Sequence, residues 1–172
     1  MTDNLRTSTD IRAGSYLIDP ARSRVEFTAT HLLGLKPVHG TMPIRSGTVM
    51  VADEPHRSTA SAELDAAGFT TDDPRRDKDV RGKRFLDAAA FPAIGFRSTR
   101  VVDSADGWQI IGVLGVRGGS TEVTLLVTEL APTVDGYRIA ATTTIDRKAA
   151  GVGSPLVGRL IQVRLTVFVT AA

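Results

Sequence analysis

The 172-residue chain has no cysteine, which removes disulfide stapling and thiolate chemistry at once. Aromatic residues make up only 5% of it, too few for the stacking platforms on which single-stranded nucleic acids are held. Neither sign of charge prevails. The 21 basic residues stand against 19 acidic ones, a net charge of +2, so neither nucleic acid nor an anionic membrane is specified despite a sequence pI near 9.3. Even the cationic stretch Arg75, Arg76, Lys78, Arg81, Lys83 and Arg84 is interrupted by Asp77 and Asp79. No run approaches the roughly 18 apolar residues of a membrane span, and the polar opening of the chain lacks the apolar core of an export signal. The expectation is a cytoplasmic protein with no membrane span and no nucleic-acid partner.

Catalytic patterns are missing too. The three histidines, His31, His39 and His56, have no zinc-binding spacing, and without cysteine no metal set is expected. There is no G-x-S-x-G elbow. Gly151-Val152-Gly153-Ser154-Pro155 lacks the lysine of a phosphate loop, and Gly118-Gly119-Ser120 reads as a hairpin turn. The carboxylate pairs Asp72/Asp73 and Asp77/Asp79 read as a solvated face, with Asp77 paired to Arg81 at i,i+4. The expectation is a protein with no catalytic residue, metal or resident cofactor, and not an enzyme.

What the chain does have is alternation. Val, Ala, Thr, Leu and Ile abound, and 16 glycines and eight prolines fall mostly between apolar runs, the pattern of many strands and turns. After a polar tail over residues 1–13, one domain is expected over 14–172. Arg24–Thr30 puts Val25, Phe27 and Ala29 on one face against Glu26 and Thr28 on the other, a half-buried antiparallel strand. Similar runs span Tyr16–Ile18, Val38–Ile44, Gly47–Val51, Thr59–Ala66, Ala93–Val102, Trp108–Val116, Glu122–Leu130, Tyr137–Ile145 and Gln162–Thr170. One segment departs from this rhythm. Asp73 as cap, Pro74 at the first helical position and Gly82 at the end predict a short surface helix near 74–81, whose single apolar residue is Val80.

Many antiparallel strands with one short helix leave a sandwich or a closed barrel. Closure removes exposed edges and, at about eight strands, leaves room inside for side chains or one small ligand. Small residues at Ala29, Ala60, Ala62, Ala66, Gly112 and Ala141 leave apolar volume for a ligand, unless Phe27, Phe96 and Phe168 fill it. The inward faces are assigned as Phe27 and Ala29, Val49 and Val51, Ala62 and Leu64, Ile94 and Phe96, Ile110 and Leu114, Leu125 and Val127, Ile139 and Ala141, and Leu165 and Val167. Trp108–Val116 is apolar on both faces, which gives a reason for its outer side to be covered by a partner.

The stretch Tyr16–Phe27, with Asp19-Pro20 and Ser23-Arg24-Val25-Glu26-Phe27, followed by His31-Leu32-Leu33-Gly34, resembles the opening of the YceI-like family of polyisoprenoid-binding proteins. Val38–Thr41, Arg76-Asp77, Phe85-Leu86-Asp87, Phe91–Thr99 and Ala141–Arg147 are similar to the same family in order and spacing. The resemblance implies an all-β, eight-stranded antiparallel lipocalin-like barrel with a short helix. It implies an extended isoprenoid chain (a quinone or polyprenyl tail, or a comparable fatty acid) as ligand, held without covalent chemistry for storage or transport, and a homodimer. His31 matches the family's histidine, and His31, His39 and Arg117 are candidates for contact with a polar head. Two alternatives remain: a hydrolase or isomerase using His31 at the barrel mouth, or a barrel packed shut that serves interaction or structure. The chain departs from the family pattern at Arg117, Gly119 and Glu122, which replace a histidine, a valine and a proline. It departs again at Ala150, which replaces a phenylalanine, and in a short connection over Gly151–Leu160.

Overall fold

The computed structural model describes residues 11–31, 37–153 and 157–172. Its elements are β1 (Gly14–Ile18), β2 (Arg24–His31), β3 (Val38–Met42), β4 (Ile44–Val51), β5 (Thr59–Asp65), α1 (Pro74–Arg81), β6 (Ala93–Ser104), β7 (Gly107–Val116), β8 (Gly119–Pro132), β9 (Gly136–Asp146) and β10 (Val157–Ala171). The ten strands form eight staves. β1 and β2 follow one another along β10, pairing with Val169–Ala171 and with Val157–Thr166 respectively. β4 and β3 follow one another in the same way opposite β1 and β2. From β4 through β10 each strand pairs antiparallel with its neighbour, and the β1–β10 pairing closes the barrel.

Prolines make the two breaks. A proline donates no ladder hydrogen bond, and Pro43 divides the predicted Val38–Ile44 run into β3 and β4. At Pro20 the chain leaves β10 and is tied back by side chains. Asp19 accepts from the Ala21 amide at 3.0 Å and from Arg22 Nε at 2.7 Å. Ser23 Oγ accepts the Phe168 amide at 3.0 Å, satisfying a strand donor where the ladder is interrupted. The Asp-Pro-x-x-Ser pattern is therefore a hydrogen-bonded corner. Phe168, a candidate for filling the interior, is not on the cavity wall. Its ring lies 5.1 Å from the Arg22 guanidinium in a cation–π contact.

Helix α1 has the predicted bounds. Asp73 caps it by accepting from the Arg75 and Arg76 amides at 3.0 and 3.3 Å, and Gly82 donates to Asp79 O at 3.1 Å. Two local expectations are corrected. The β7–β8 turn is centred on Arg117 and Gly118, both at positive φ, as a two-residue hairpin turn requires. It therefore begins one residue before the predicted Gly118-Gly119-Ser120. The Gly151–Leu160 connection is also shorter than drawn, because β10 begins at Val157 and pairs Leu160 with Asp146.

Antiparallel order puts the connections after β2, β5, β7 and β9 at one end of the barrel. Those after β4, β6 and β8 lie at the other, with the start of β1 and the end of β10. At this far end Tyr16, Ile18, Val167 and Val169 are buried together, and the Tyr16 and Tyr137 rings meet edge to face at 5.7 Å. Tyr16 OH donates to Arg12 O at 2.6 Å, and the Arg12 amide donates to Tyr137 OH at 3.1 Å.

Candidate functional site

Period-two alternation turns one face of every stave inward, and these faces enclose a cavity of about 900 Å³. That is near the upper end for ligand pockets and several times the roughly 150 Å³ void that admits benzene. Of the predicted wall residues, the structure places Phe27, Ala29, Val49, Ala62, Leu64, Ile94, Phe96, Ile110, Leu114, Leu125, Ile139, Ala141, Leu165 and Val167 on it. Gly112 makes room for one of them: a Cβ there would stand 2.6 Å from the Phe96 ring and 2.5 Å from Arg97 O. Ser61 borders the cavity but its hydroxyl is 3.0 Å from Thr48 Oγ1, in an exposed cross-strand pair.

Four predicted residues are placed otherwise. Val51 pairs with Gly14 at the far end and packs in the Tyr16 cluster. Val127 is also at that end, its carbonyl beside Gly107. Alternation assigns a face, and neither residue is at the height of the cavity. Arg117 is not on the wall; its Nη1 donates to Phe85 O at 3.0 Å. The strand β2 ends at His31, whose side chain lies outside the described residues. His39, the other head-group candidate, is corrected as well. It is exposed, with Nδ1 3.1 Å from Thr28 Oγ1, in a polar concavity of the outer wall shared with Thr142, Thr144 and Gln162.

The end carrying α1 is roofed by residues 66–91. Thr41 and Thr70 form an isolated bridge that sets Phe69 over the opening, its ring 6.2 Å from that of Phe27. Gly40 permits this, since a Cβ there would come within 2.9 Å of the Phe69 ring. Val80, Phe85 and Leu86 border the cavity from the same segment. No period-two signal marks these residues, and sequence reasoning missed them.

Polar bonds within residues 66–91 fix the shape of the roof. Asp77, expected on a solvated face and paired with Arg81, is only 6% exposed. It accepts from the Thr71 amide at 2.8 Å, Thr71 Oγ1 at 2.6 Å and Thr70 Oγ1 at 3.2 Å. Burial by itself would raise the Asp77 pKa, but these donors and the charge of Arg81 outweigh it, and the carboxyl is held below its ordinary range. The Arg81 guanidinium instead binds Phe69 O, with Nε at 2.8 Å. Arg147, 7% exposed, borders the cavity and donates to Val152 O and Gly158 O at 3.2 and 3.1 Å, bracing the last connection. Among the described residues no group of three or more metal-ligating side chains is found, and no helix is long and apolar enough to cross a membrane.

Residues 16–169 match the family model described as a YceI-like domain. A protein of Yersinia pestis named UPF0312 protein is 33% identical over 116 residues, covering 66% of this chain and 60% of that protein. A UPF0312 protein of Pseudomonas savastanoi pv. phaseolicola is 30% identical over 152 residues, 83% of this chain and 79% of that one. The chain thus covers about 60% of the length of the Yersinia relative. Among solved structures, Burkholderia cenocepacia BcnA aligns with a TM-score of 0.76 at 23% identity, over 90% of this chain and 99% of that one. A Saccharophagus degradans structure described as a polyisoprenoid binding domain aligns at 0.62 and 14%, over 91% and 98%. At these identities the structural likeness is one of fold.

Proposed function

The chain belongs to the YceI-like family, and from that premise we propose that it holds a long isoprenoid or similar lipid tail inside the barrel, for storage or transport and without covalent chemistry. The observation that carries this reading is the roofed apolar cavity of about 900 Å³. A tail burying about 300 Å² there gains about 7 kcal/mol, before the cost of ordering it. Because one methylene changes this by only about 1 kcal/mol, tails of several lengths fit. The Saccharophagus structure described as polyisoprenoid-binding supports a lipid-like ligand.

The test is lipid retention. Protein purified without detergent is expected to carry a lipid visible by native mass spectrometry. Ala62→Trp, which puts an indole into the cavity, is expected to lose it and to bind long isoprenoids at least about tenfold more weakly. Unchanged binding by a folded Ala62→Trp protein would sink the proposal. Turnover of an ester or isoprenoid substrate that vanished in His31→Ala would overturn its non-catalytic part.

A homodimer through the outer face of β7 belongs to the same reading. Val113 is 36% exposed there, while Ile111 is already buried within one chain, so β7 offers a partner less apolar surface than its sequence suggested. Monomeric mass by sedimentation at tens of micromolar would argue against it.

A further inference from the structure

Resting on that reading, we infer that the mouth of the cavity selects amphiphiles with an anionic head, a carboxylate or a phosphate ester, over neutral ones with the same tail. The cationic stretch in and after α1 is not a remote surface patch. Arg75, Arg76, Lys78, Lys83 and Arg84 border the same cavity as the apolar wall, with only Asp73 and Asp79 as carboxylates among them.

The acids do little to neutralise this rim. The Asp73 carboxylate is occupied as the helix cap. The ion pairs of this segment go to Arg76, at 3.5 Å from Asp72 and 3.9 Å from Asp73. Among the described residues, no carboxylate oxygen lies within 4 Å of the charged nitrogens of Arg75, Lys78, Lys83 or Arg84. An excess of cations around the mouth of an apolar cavity raises the local potential for an anion there. One molecule satisfies both regions when its tail lies along the wall and its anion lies among guanidinium and ammonium groups. Nucleic acid does not fit, because the cations surround a cavity mouth and no row of exposed aromatics runs beside them.

Displacement of the neutral dye Nile red from the full chain tests this with palmitic acid, methyl palmitate and hexadecyl phosphate at about pH 8, where the carboxyl is ionised. The acid and the phosphate ester are expected to displace the dye at about tenfold lower concentration than the methyl ester. The preference should fall to within about twofold in 1 M salt and in R75Q/K78Q/K83Q/R84Q. The charge-preserving R75K/K78R/K83R/R84K variant should keep it. Methyl palmitate should bind all folded variants alike, which separates loss of charge from loss of fold. Millimolar inorganic phosphate should displace nothing, placing the anion on the lipid. Equal displacement by acid and ester overturns the head-group proposal and leaves the cavity reading standing. Displacement by none of the three overturns both. A preference that survives the glutamine variant overturns the assignment to these residues. Ligand-free protein bound to anionic vesicles through these residues, without preference for the acid, shows a membrane-docking rim and overturns the proposal.

Discussion

Where the chain enters the barrel, Tyr16, Ile18, Val167 and Val169 close the interior by packing strand side chains against one another. At the opposite end, among the described residues, no strand supplies the closure. Residues 66–91 are laid across it, braced internally by Asp77 to Thr70 and Thr71 and by Arg81 to Phe69. They are joined to the barrel by the Thr41–Thr70 bridge, by Arg117 to Phe85 and by packing of Ala66, Phe69, Leu86 and Ala88 in one cluster with Met42, Ile94 and Leu114. Apolar packing between staves is lost only when the staves separate. A roof that lies outside the strand ladders can loosen while the staves stay paired. The far end thus shares the stability of the barrel, and on the proposed reading a ligand enters at the roofed end.

The sharpest way to break the comparison is at the far end. A Cβ at Gly136 would overlap the Val169 carbonyl, backbone against backbone. Gly136→Ala is expected to lower global stability by at least about 3 kcal/mol in urea unfolding, and a wild-type midpoint would show that this end tolerates rearrangement. Asp77→Ala comes next. It removes the acceptor of three roof bonds and is expected to cost about 2–3 kcal/mol. Amide exchange should accelerate over residues 66–91 and stay slow in β8, β9 and β10. Uniform acceleration would mean that roof and barrel unfold as one.

The two ends should also separate by pH. The Asp77 carboxyl titrates below its ordinary range in the fold, so its contribution is present above the unfolded value of about 4 and is lost as pH falls through the lower folded value. Tyr16 goes the other way. Burial, then the neighbouring Tyr137, push its phenol above the ordinary range. Its contribution is complete below about pH 10 and is lost as pH rises through the folded value. Acid should therefore loosen the roof first, and Asp77→Asn should flatten that dependence in an exchange measurement. The smallest effect expected is that of Tyr16→Phe, which deletes the 2.6 Å bond to Arg12 O and should cost about 1 kcal/mol. A larger loss would show that the N-terminal residues contribute more to closure than that one bond.

The sequence by itself determined which face of each strand turns inward, because side chains alternate with period two whatever the strand pairs with. Charged neighbours such as Glu26, Glu63 and Arg164 made Phe27, Ala62 and Leu165 legible as wall residues. It also determined α1, whose Asp73, Pro74 and Gly82 signals act within a few residues of the helix they bound. Height along the barrel was decided only by register between distant strands, which is why Val51 and Val127 carry the right pattern at the wrong level. Partners of polar side chains were decided the same way. Arg117 looks like surface charge in one dimension and becomes a tie of the roof once Phe85 is brought beside it. The rim of cations is likewise ordinary along the chain. Only closure of the barrel beneath α1 puts Lys78, Lys83 and Arg84 at the mouth of an apolar cavity.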